Sequence, residues 1–287
     1  MKHKFKTAHS VEKFFSGSRI GVMLIHGLTG TPTEMASIGK LLNKKGFSVY
    51  CPLLPGHCVS EEELKKTSYS DWVAGMLEAL ESFSEHMDVV FTGGLSIGAT
   101  LSMKLASLMP EKIRGQVLYS ITLKYDGWTI PRLSFLLPLV LRIPYVGYRY
   151  SFKEAWPYGL KNERLRKRIH AAMSSGDSVA AGFRGTPGFS LREFWRLADE
   201  VKSDMPSINT PTLVLHSWHD DIASKESNAF YVRDNLGRTP KVIILEDSYH
   251  LITIDQERRR VVQETVNYFS SLLNKEELLE MKKGGKK

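Results

Sequence analysis

Cysteine is scarce in this chain of 287 residues, which contains only Cys51 and Cys58. Small secreted domains that depend on disulfides are rich in cysteine, so this class is excluded. The two residues lie seven positions apart, and neither belongs to a second pair with metal-ligand spacing. The pattern favours free thiols in a reducing compartment over a disulfide, and it predicts no metal site.

Long apolar runs are also missing. The longest, from Leu133 to Leu141, is interrupted by Pro138 and is followed by Arg142, so it is far too short to span a bilayer. The N-terminus is basic but lacks the apolar stretch of a signal peptide. These absences predict a soluble, cytoplasmic protein.

The formal net charge of +8 is concentrated within one internal segment. Between Ser120 and Met205 there are 14 Lys and Arg residues against 8 Asp and Glu residues. The basic residues form no recognisable nucleic-acid reading motif, so nucleic-acid binding is not expected. Two other uses remain open, namely peripheral contact of Leu133–Val146 with an anionic membrane and contact of the run Lys161–Arg168 with a carrier protein. A plain solvated helix face also explains that run.

Strand-like and helix-like segments alternate through most of the chain. This alternation predicts right-handed crossovers and an α/β fold with a mostly parallel sheet that is covered on both faces. The strand-like runs are Gly21–His26, Phe47–Cys51, Asp88–Gly93, Gly115–Tyr119, Pro211–His216 and Lys241–Leu245. The helix-like stretches are Pro32–Lys45, Ser70–His86, Ile97–Met109, Ser224–Leu236 and Gln256–Leu273.

Residues 121–205 interrupt the alternation, and we call them the inserted segment. They hold 13 of the 29 aromatic residues and show no regular strand pattern. We predict a mainly helical cap domain, inserted after the sixth strand, over a core formed by residues 1–120 and 206–274. The aromatic residues either bury an apolar ligand or form the core of the cap itself. Residues 275–287 are basic and lack apolar periodicity, which predicts a disordered tail.

The pentapeptide Gly94-Leu-Ser-Ile-Gly98 lies between a buried strand-like run and a helix whose apolar residues recur at spacings of three and four. Small glycines two residues to either side allow the chain to turn sharply at Ser96. Such a strand–turn–helix context is typical of a nucleophile elbow, which exposes the serine hydroxyl. Ser96 is therefore the candidate nucleophile.

A serine hydroxyl needs a nearby base and an acid that orients this base. His250 follows the last strand-like run and should lie at the same sheet edge as Ser96. The alternatives are His26, His57, His216 and His219, of which the first and third end strands and are expected to make backbone contacts. For the orienting acid we prefer Asp220 to its neighbour Asp221, and we expect Asp247 and Asp255 to be surface residues.

The negative oxygen of a tetrahedral intermediate needs fixed donors. The N–H of Ile97 at the helix start is one candidate. The loop His26-Gly-Leu-Thr-Gly30 is rich in small residues, so the Leu28 N–H can turn inward as the second. Simple turn chemistry would also explain these glycines.

The chain resembles the α/β-hydrolase superfamily, in particular its carboxylesterase and bacterial monoacylglycerol lipase group. The resemblance runs from about residue 20 to 273 outside the inserted segment. It is carried by His26-Gly-Leu-Thr-Gly-Thr-Pro32, Leu54-Pro-Gly-His57, Gly94–Gly98, Ser217-Trp-His-Asp220 and Ser248-Tyr-His250. It implies Ser96, Asp220 and His250 as a triad in the family's chain order, with Leu28 and Ile97 as oxyanion donors. The family's loop commonly reads Leu-Pro-Gly-His-Gly, whereas this chain has Cys58 last, and the inserted segment is about twice the expected length.

These observations predict a serine hydrolase that cleaves carboxylic esters with an apolar acyl or aryl group through an acyl-enzyme, without a metal or organic cofactor. A thioesterase or acyltransferase with the same triad is the nearest alternative. A lipase or binding protein that uses a basic cap at a membrane surface is another.

Overall fold

The computed structural model describes residues 5–141, 143–153, 155–175, 183 and 185–285. The predicted cap includes residues 142, 154, 176–182 and 184, and the predicted tail includes residues 286–287, all of which lie outside these ranges. Within the described ranges, nine strands form one seven-stranded and one two-stranded sheet. In chain order they are β1 Lys13–Phe15, β2 Ile20–Ile25, β3 Ser48–Cys51, β4 Val89–Leu95, β5 Gly115–Tyr119, β6 Ser151–Lys153, β7 Gly185–Pro187, β8 Thr212–Ser217 and β9 Lys241–Leu245.

The large sheet has the order β1-β3-β2-β4-β5-β8-β9. Its neighbouring strands are parallel except for β1, which pairs antiparallel with β3. The predicted mostly parallel α/β sheet is therefore confirmed. Edge strand β1 was not predicted, because three partly exposed residues carry too little apolar periodicity to be recognised.

Helices follow most of the strands, as parallel crossovers require. They are α1 Pro32–Asn43, α2 Glu61–Leu64, α3 Tyr69–Ser84, α4 Ile97–Leu108, α5 Leu137–Val140, α6 Pro144–Arg149, α7 Glu163–Ser175, α8 Gly188–Asp204, α9 Tyr231–Asn235, α10 Arg258–Ser271 and α11 Lys275–Gly284. The segment Glu226–Phe230 is a π-helix that continues into α9.

Side chains of each central strand alternate between two apolar layers, one on either face of the sheet. In β2, Met23 and Ile25 pack with α3, α4 and α8, whereas Val22 and Leu24 pack with α1 and α10. Because both faces are covered, β2, β4 and β5 are buried along their whole length. This burial explains why they read as continuous apolar runs.

The inserted segment follows the fifth strand of the chain, and the predicted position after the sixth strand is wrong. The sequence contains four strand-like runs before Ser120, and the structure adds only β1 to them. The segment is mainly helical, as expected, but β6 and β7 form a small antiparallel sheet within it. Helix α8 packs against α3 and α4 of the core and also against α6 and β7 of the inserted segment, so the boundary at residue 205 stays a prediction.

The prediction of a disordered tail is wrong for residues 275–284, which form α11. The Asn274 side chain caps this helix by accepting the N–H groups of Glu276 and Glu277 at 2.9 Å. The Glu277 carboxylate accepts the Asn274 N–H in return, which completes a capping box. Met281 is buried against the core, and Arg114 pairs with Glu277. These contacts outweigh the repulsion between the basic residues. Among the described helices, none is both long enough and apolar enough to cross a membrane.

Candidate active site

Ser96 occupies the turn between β4 and α4 with φ 58° and ψ −119°, a conformation that L-residues rarely adopt. The two glycines of the motif permit this turn by allowing the backbones to approach closely. A Cβ at Gly94 would lie 2.3 Å from the Gly98 carbonyl carbon, and one at Gly98 would lie 2.2 Å from the Ile25 oxygen. The elbow predicted from the sequence is therefore present, and it projects Ser96 at the carboxyl edge of the sheet.

The His250 imidazole contacts the carboxylate of Asp220. Its Nδ1 lies 2.9 Å from Oδ1 and 2.8 Å from Oδ2 of Asp220, and both side chains are buried. Oδ1 also accepts the N–H groups of Ile222 and Ala223. These bonds fix the carboxylate, which in turn fixes the ring so that Nε2 is left for another partner.

Electrostatics couple this pair. Burial by itself would lower the pKa of His250, but the charge of Asp220 and its hydrogen bond raise the pKa above the ordinary value. Burial by itself would raise the pKa of Asp220, but the His250 charge and hydrogen bond hold it below the ordinary value. Asp220 therefore stays ionised and stabilises the imidazolium form of His250.

Ser96 and His250 line one cavity of about 180 Å³ at the edge of the sheet. In this arrangement the Ser96 Oγ lies 3.1 Å from the Thr122 Oγ1. Most of the other lining side chains are apolar, and six of the lining positions belong to the inserted segment. The lining residues of the inserted segment are Tyr125, Ala155, Tyr158, Gly159, Ile169 and Thr186.

The loop after β2 forms another wall of this cavity through residues 27–30. Thr29 has a φ of 63°, and its N–H donates to Nε2 of buried His57 at 3.2 Å. Among the described residues, the N–H groups of Leu28 and Ile97 donate to no protein acceptor. The two candidate oxyanion donors therefore have their hydrogen-bonding capacity available beside Ser96.

Three of the four alternative histidines are buried, and each contacts the backbone. His26 accepts the Leu54 N–H at 3.2 Å, and Nε2 of His216 lies 2.8 Å from the Ala223 oxygen. Burial lowers the pKa of His26 to about 3 and that of His57 to about 4. His219 lines a separate surface pocket with Trp128, outside the cavity of Ser96. Nε2 of His216 also lies 3.4 Å from Oδ2 of Asp220, but His250 is the histidine that lines the cavity of Ser96, and none of these four does.

Asp221, the second choice for the orienting acid, lies beside His250 but contacts its main chain. Its Oδ1 accepts the His250 N–H at 3.2 Å. Asp247 is exposed and pairs with Lys161, as expected of a surface residue. Asp255 is buried, and the prediction that it lies on the surface is wrong. Its carboxylate accepts backbone N–H groups, which the sequence pattern does not reveal.

Two hydroxyl residues directly after β5 were missed by sequence reasoning. Ser120 Oγ donates to the His250 carbonyl oxygen at 2.6 Å, and Thr122 contacts Ser96. Both side chains are fully buried. The available signal in the sequence was that both residues follow a strand at the edge of the sheet where Ser96 lies. A buried Ser or Thr, however, more commonly forms hydrogen bonds with local backbone groups.

Comparison with known proteins identifies the family of this chain. The family model described as "Serine aminopeptidase, S33" matches residues 17–257. A thermostable monoacylglycerol lipase of Bacillus sp. (strain H-257) is 25% identical over 94% of this chain and 98% of its own. A carboxylesterase of Bacillus subtilis (strain 168) is 26% identical over 90% of this chain and 95% of its own.

Solved structures share the fold. A monoacylglycerol lipase of Paleococcus ferrophilus superimposes with a TM-score of 0.76 at 22% identity. The match covers 91% of this chain and 98% of the other.

Proposed function

The chain belongs to the serine aminopeptidase family of α/β-hydrolases and is an ester hydrolase, and from that premise we propose that it cleaves carboxylic esters through a triad of Ser96, His250 and Asp220. The observation that carries the proposal is the shared cavity of Ser96 and His250, with Asp220 bound to the far side of the imidazole ring. The chemistry requires this spatial relationship, and the chain order Ser96, Asp220, His250 is that of the family.

In the first step, Nε2 of His250 takes the Ser96 proton as Oγ attacks the carbonyl carbon of the ester. Asp220 stabilises the imidazolium that forms, because its carboxylate is buried, ionised and bound to Nδ1. The raised pKa of His250 makes it a stronger base than an isolated imidazole.

In the tetrahedral intermediate, the negative oxygen accepts the N–H groups of Leu28 and Ile97. Donors fixed by the backbone need no reorganisation as the charge develops, which is why such sites are effective. His250 then gives its proton to the leaving alcohol, and an acyl-enzyme remains on Ser96. Water attacks this ester with His250 again acting as the base, which releases the acid and restores the serine.

The cavity walls favour a substrate with an apolar acyl or aryl group. Leu28, Ile169, Leu251 and Ile254 contribute apolar surface to the cavity. Relatives that are named monoacylglycerol lipase and carboxylesterase act on esters of this general kind. We propose the same substrate class here.

Labelling with a fluorophosphonate tests the nucleophile directly. Wild type should be labelled and should hydrolyse p-nitrophenyl esters, whereas Ser96→Ala should lose both properties. A series of acyl chain lengths would then size the pocket, with the amide analogue of the best ester as a peptidase control. Retention of the label and of full activity by Ser96→Ala would overturn the proposal.

A thioesterase or acyltransferase would use the same three residues. The acceptor of the acyl group distinguishes these activities, because the first acylation step is common to all of them. Turnover of an acyl thioester should be compared with turnover of the matched oxygen ester, with and without an added alcohol acceptor. We expect the oxygen ester and water to be preferred.

A membrane surface is a second candidate setting for this activity. The segment Leu133–Val146 exposes several large apolar side chains, with Leu133 and Phe135 each 70% exposed and Tyr145 74% exposed. The inserted segment also carries an excess of basic residues. Apolar and basic groups on one surface are suited to an anionic bilayer. Co-sedimentation with anionic vesicles, weakened by salt and by Leu133→Asp with Phe135→Asp, would support this setting.

A further inference from the structure

A buried aspartate joins the inserted segment to the backbone of His250. Oδ2 of Asp221 accepts the Gly159 N–H at 2.9 Å, and Oδ1 accepts the His250 N–H at 3.2 Å. Asp221 is fully buried. Its own carbonyl oxygen accepts the Thr129 N–H at 3.1 Å. One residue therefore contacts the inserted segment at two places and the catalytic loop at a third.

Asp255 makes the same kind of bridge at residues 161 and 162 of the inserted segment. Oδ2 accepts the N–H groups of Tyr249 at 2.9 Å and Lys161 at 2.8 Å, and Oδ1 accepts the Asn162 N–H at 2.9 Å. Only 4% of Asp255 is exposed. Residues 159–162 thus lie along residues 249–251 with a carboxylate at either end.

A direct backbone bond lies between the two carboxylates. The Leu251 N–H donates to the Gly159 oxygen at 2.8 Å. The other side of the His250 backbone is held by Ser120, whose Oγ donates to the His250 carbonyl. The main chain of the base is therefore fixed at its N–H by Asp221 and at its C=O by Ser120.

Buried carboxylates are stable only where donors surround them. Half of the donors to Asp221 and more than half of those to Asp255 come from the inserted segment. If residues 159–162 moved away, both carboxylates would lose partners while still buried. Residues 249–251 and residues 159–162 therefore stabilise each other's positions.

We propose that Asp221 and Asp255 are positioning residues, and that they make residues 159–162 of the inserted segment part of the structure that orients His250. The inference rests on the proposed function, in which His250 is the base. It goes further by giving the inserted segment a role in the chemical step itself, beyond forming the wall of the substrate cavity.

The two aspartates differ in their effect on the pKa of His250. This difference distinguishes a positioning role from a general effect on the stability of the fold. The charges that face His250 are those of Asp220, Asp221 and Glu34, all of which raise its pKa, while His216 lies beside Asp220. Asp255 is not among these charges, and its carboxylate bonds to the Tyr249 N–H instead of to residue 250. Removal of the Asp221 charge should therefore move the acid limb of activity to lower pH, whereas removal of the Asp255 charge should not.

Asp221→Asn and Asp255→Asn test the inference with a soluble p-nitrophenyl ester as substrate. Each amide places an NH2 group against a backbone N–H, so one bridge is broken without loss of volume. We expect kcat to fall about tenfold in each variant while KM changes less than about threefold. The acid limb of kcat/KM should move to lower pH in Asp221→Asn alone.

Glu12→Gln is the matched control. Glu12 is a buried carboxylate that accepts the His9 and Leu53 N–H groups and the Tyr50 hydroxyl, at the β1 edge of the sheet. This variant should lose stability but keep kcat and the pH profile. Titration of active sites with a fluorophosphonate corrects every rate for the folded fraction.

Gly159→Ala approaches the same bridge from the inserted segment. Gly159 has a φ of 71°, and a Cβ there would lie 2.8 Å from the Leu251 Cγ and 3.3 Å from the His250 Cβ. We expect a similar fall in kcat, and no further fall when Gly159→Ala is combined with Asp221→Asn, because both changes break one bridge.

Two results would overturn the inference while leaving the triad intact. One is a corrected kcat in Asp221→Asn and Asp255→Asn equal to that of Glu12→Gln. The other is a fully additive double variant. If Ser96→Ala retained activity instead, the proposed function itself would fail, so the two failures are distinguishable.

Discussion

The Ser96 hydroxyl is hydrogen-bonded to that of Thr122, with 3.1 Å between Oγ and Oγ1. Thr122 Oγ1 also lies 3.1 Å from the Ser120 carbonyl oxygen, which can only accept. The Thr122 hydroxyl therefore donates its hydrogen bond to the Ser120 carbonyl oxygen. Its Oγ1 in turn accepts a hydrogen bond from the Ser96 hydroxyl. In the proposed mechanism the Ser96 proton passes to His250 when Ser96 attacks, so the bond to Thr122 belongs to the resting enzyme.

Thr122→Val should therefore accelerate acylation. A neutral hydrogen bond contributes about 0.5–1.5 kcal/mol, which corresponds to a roughly 2- to 12-fold faster reaction when it is absent from the resting state only. Thr122→Ser keeps the hydroxyl and should react like wild type. The rate of fluorophosphonate labelling measures this step directly. Slower labelling of Thr122→Val would mean that Thr122 stabilises the transition state instead.

Asp220→Asn should reduce kcat by roughly 10³- to 10⁴-fold, because the ring loses both its orientation and the charge that stabilises the imidazolium. In wild type, activity should fall with decreasing pH through a limb above 6.5, since the pKa of His250 is raised and the base must be neutral. This limb should move to lower pH in the variant. Asp247→Asn, at an exposed aspartate that pairs with Lys161, is the control and should leave the limb unchanged.

Buried histidines should make the fold sensitive to mild acid. The pKa of His57 is lowered to about 4 by burial, so between that pH and about 6.5 the unfolded state binds more protons than the folded state. The stabilisation from neutral His57 is therefore fully present above about pH 6.5, and it is lost as the pH falls to about 4. The loss from His57 alone amounts to at most about 3 kcal/mol.

Urea unfolding between pH 7.5 and 4 measures this loss. His57→Gln keeps an acceptor for the Thr29 N–H and should show a shallower dependence on pH. His26 has the same sign of shift, so some dependence remains in the variant. Equal slopes for wild type and variant would contradict the assignment of a neutral, buried His57.

Cys58→Gly should stabilise the protein. Cys58 has a φ of 62°, in the left-handed region that favours glycine. Relief of that strain is worth about 1–2 kcal/mol, and the greater chain entropy of glycine offsets about half of it. The net gain should be visible as a higher urea midpoint. Cys51→Ala, which removes a fully buried thiol from ordinary strand geometry, should lower the midpoint.

The sheet and the elbow could be predicted because local pattern and tertiary structure agree there. The buried strands are read from apolar runs, and Gly94 and Gly98 are required by contacts that any residue with a Cβ would disrupt. The backbone at residue 58 accounts for the glycine of the resembled motif but not for the cysteine found here. The family commonly has glycine at this position, and the structure shows that Cys58 adopts the backbone conformation that glycine favours.

Other features depend on contacts that no local pattern contains. The role of Asp255 is set by N–H groups of residues almost a hundred positions earlier in the chain. Helix α11 was hidden by its basic residues, although Asn274 and Glu277 form a capping box that the sequence does contain. The basic composition indicates disorder, whereas burial of Met281 against the core stabilises the helix.

Strands β5 and β8 are hydrogen-bonded neighbours, with Tyr119 opposite Leu215, although more than ninety residues separate them in the chain. The polypeptide therefore departs from the sheet and rejoins it at adjacent positions, roughly 5 Å apart in the pairing direction. A protease cut within the excursion would leave a nicked molecule whose two fragments still share a sheet. For the same reason, the excursion could be exchanged for that of another hydrolase as a graft, with the residues around Gly159 to Asn162 retained as its point of attachment.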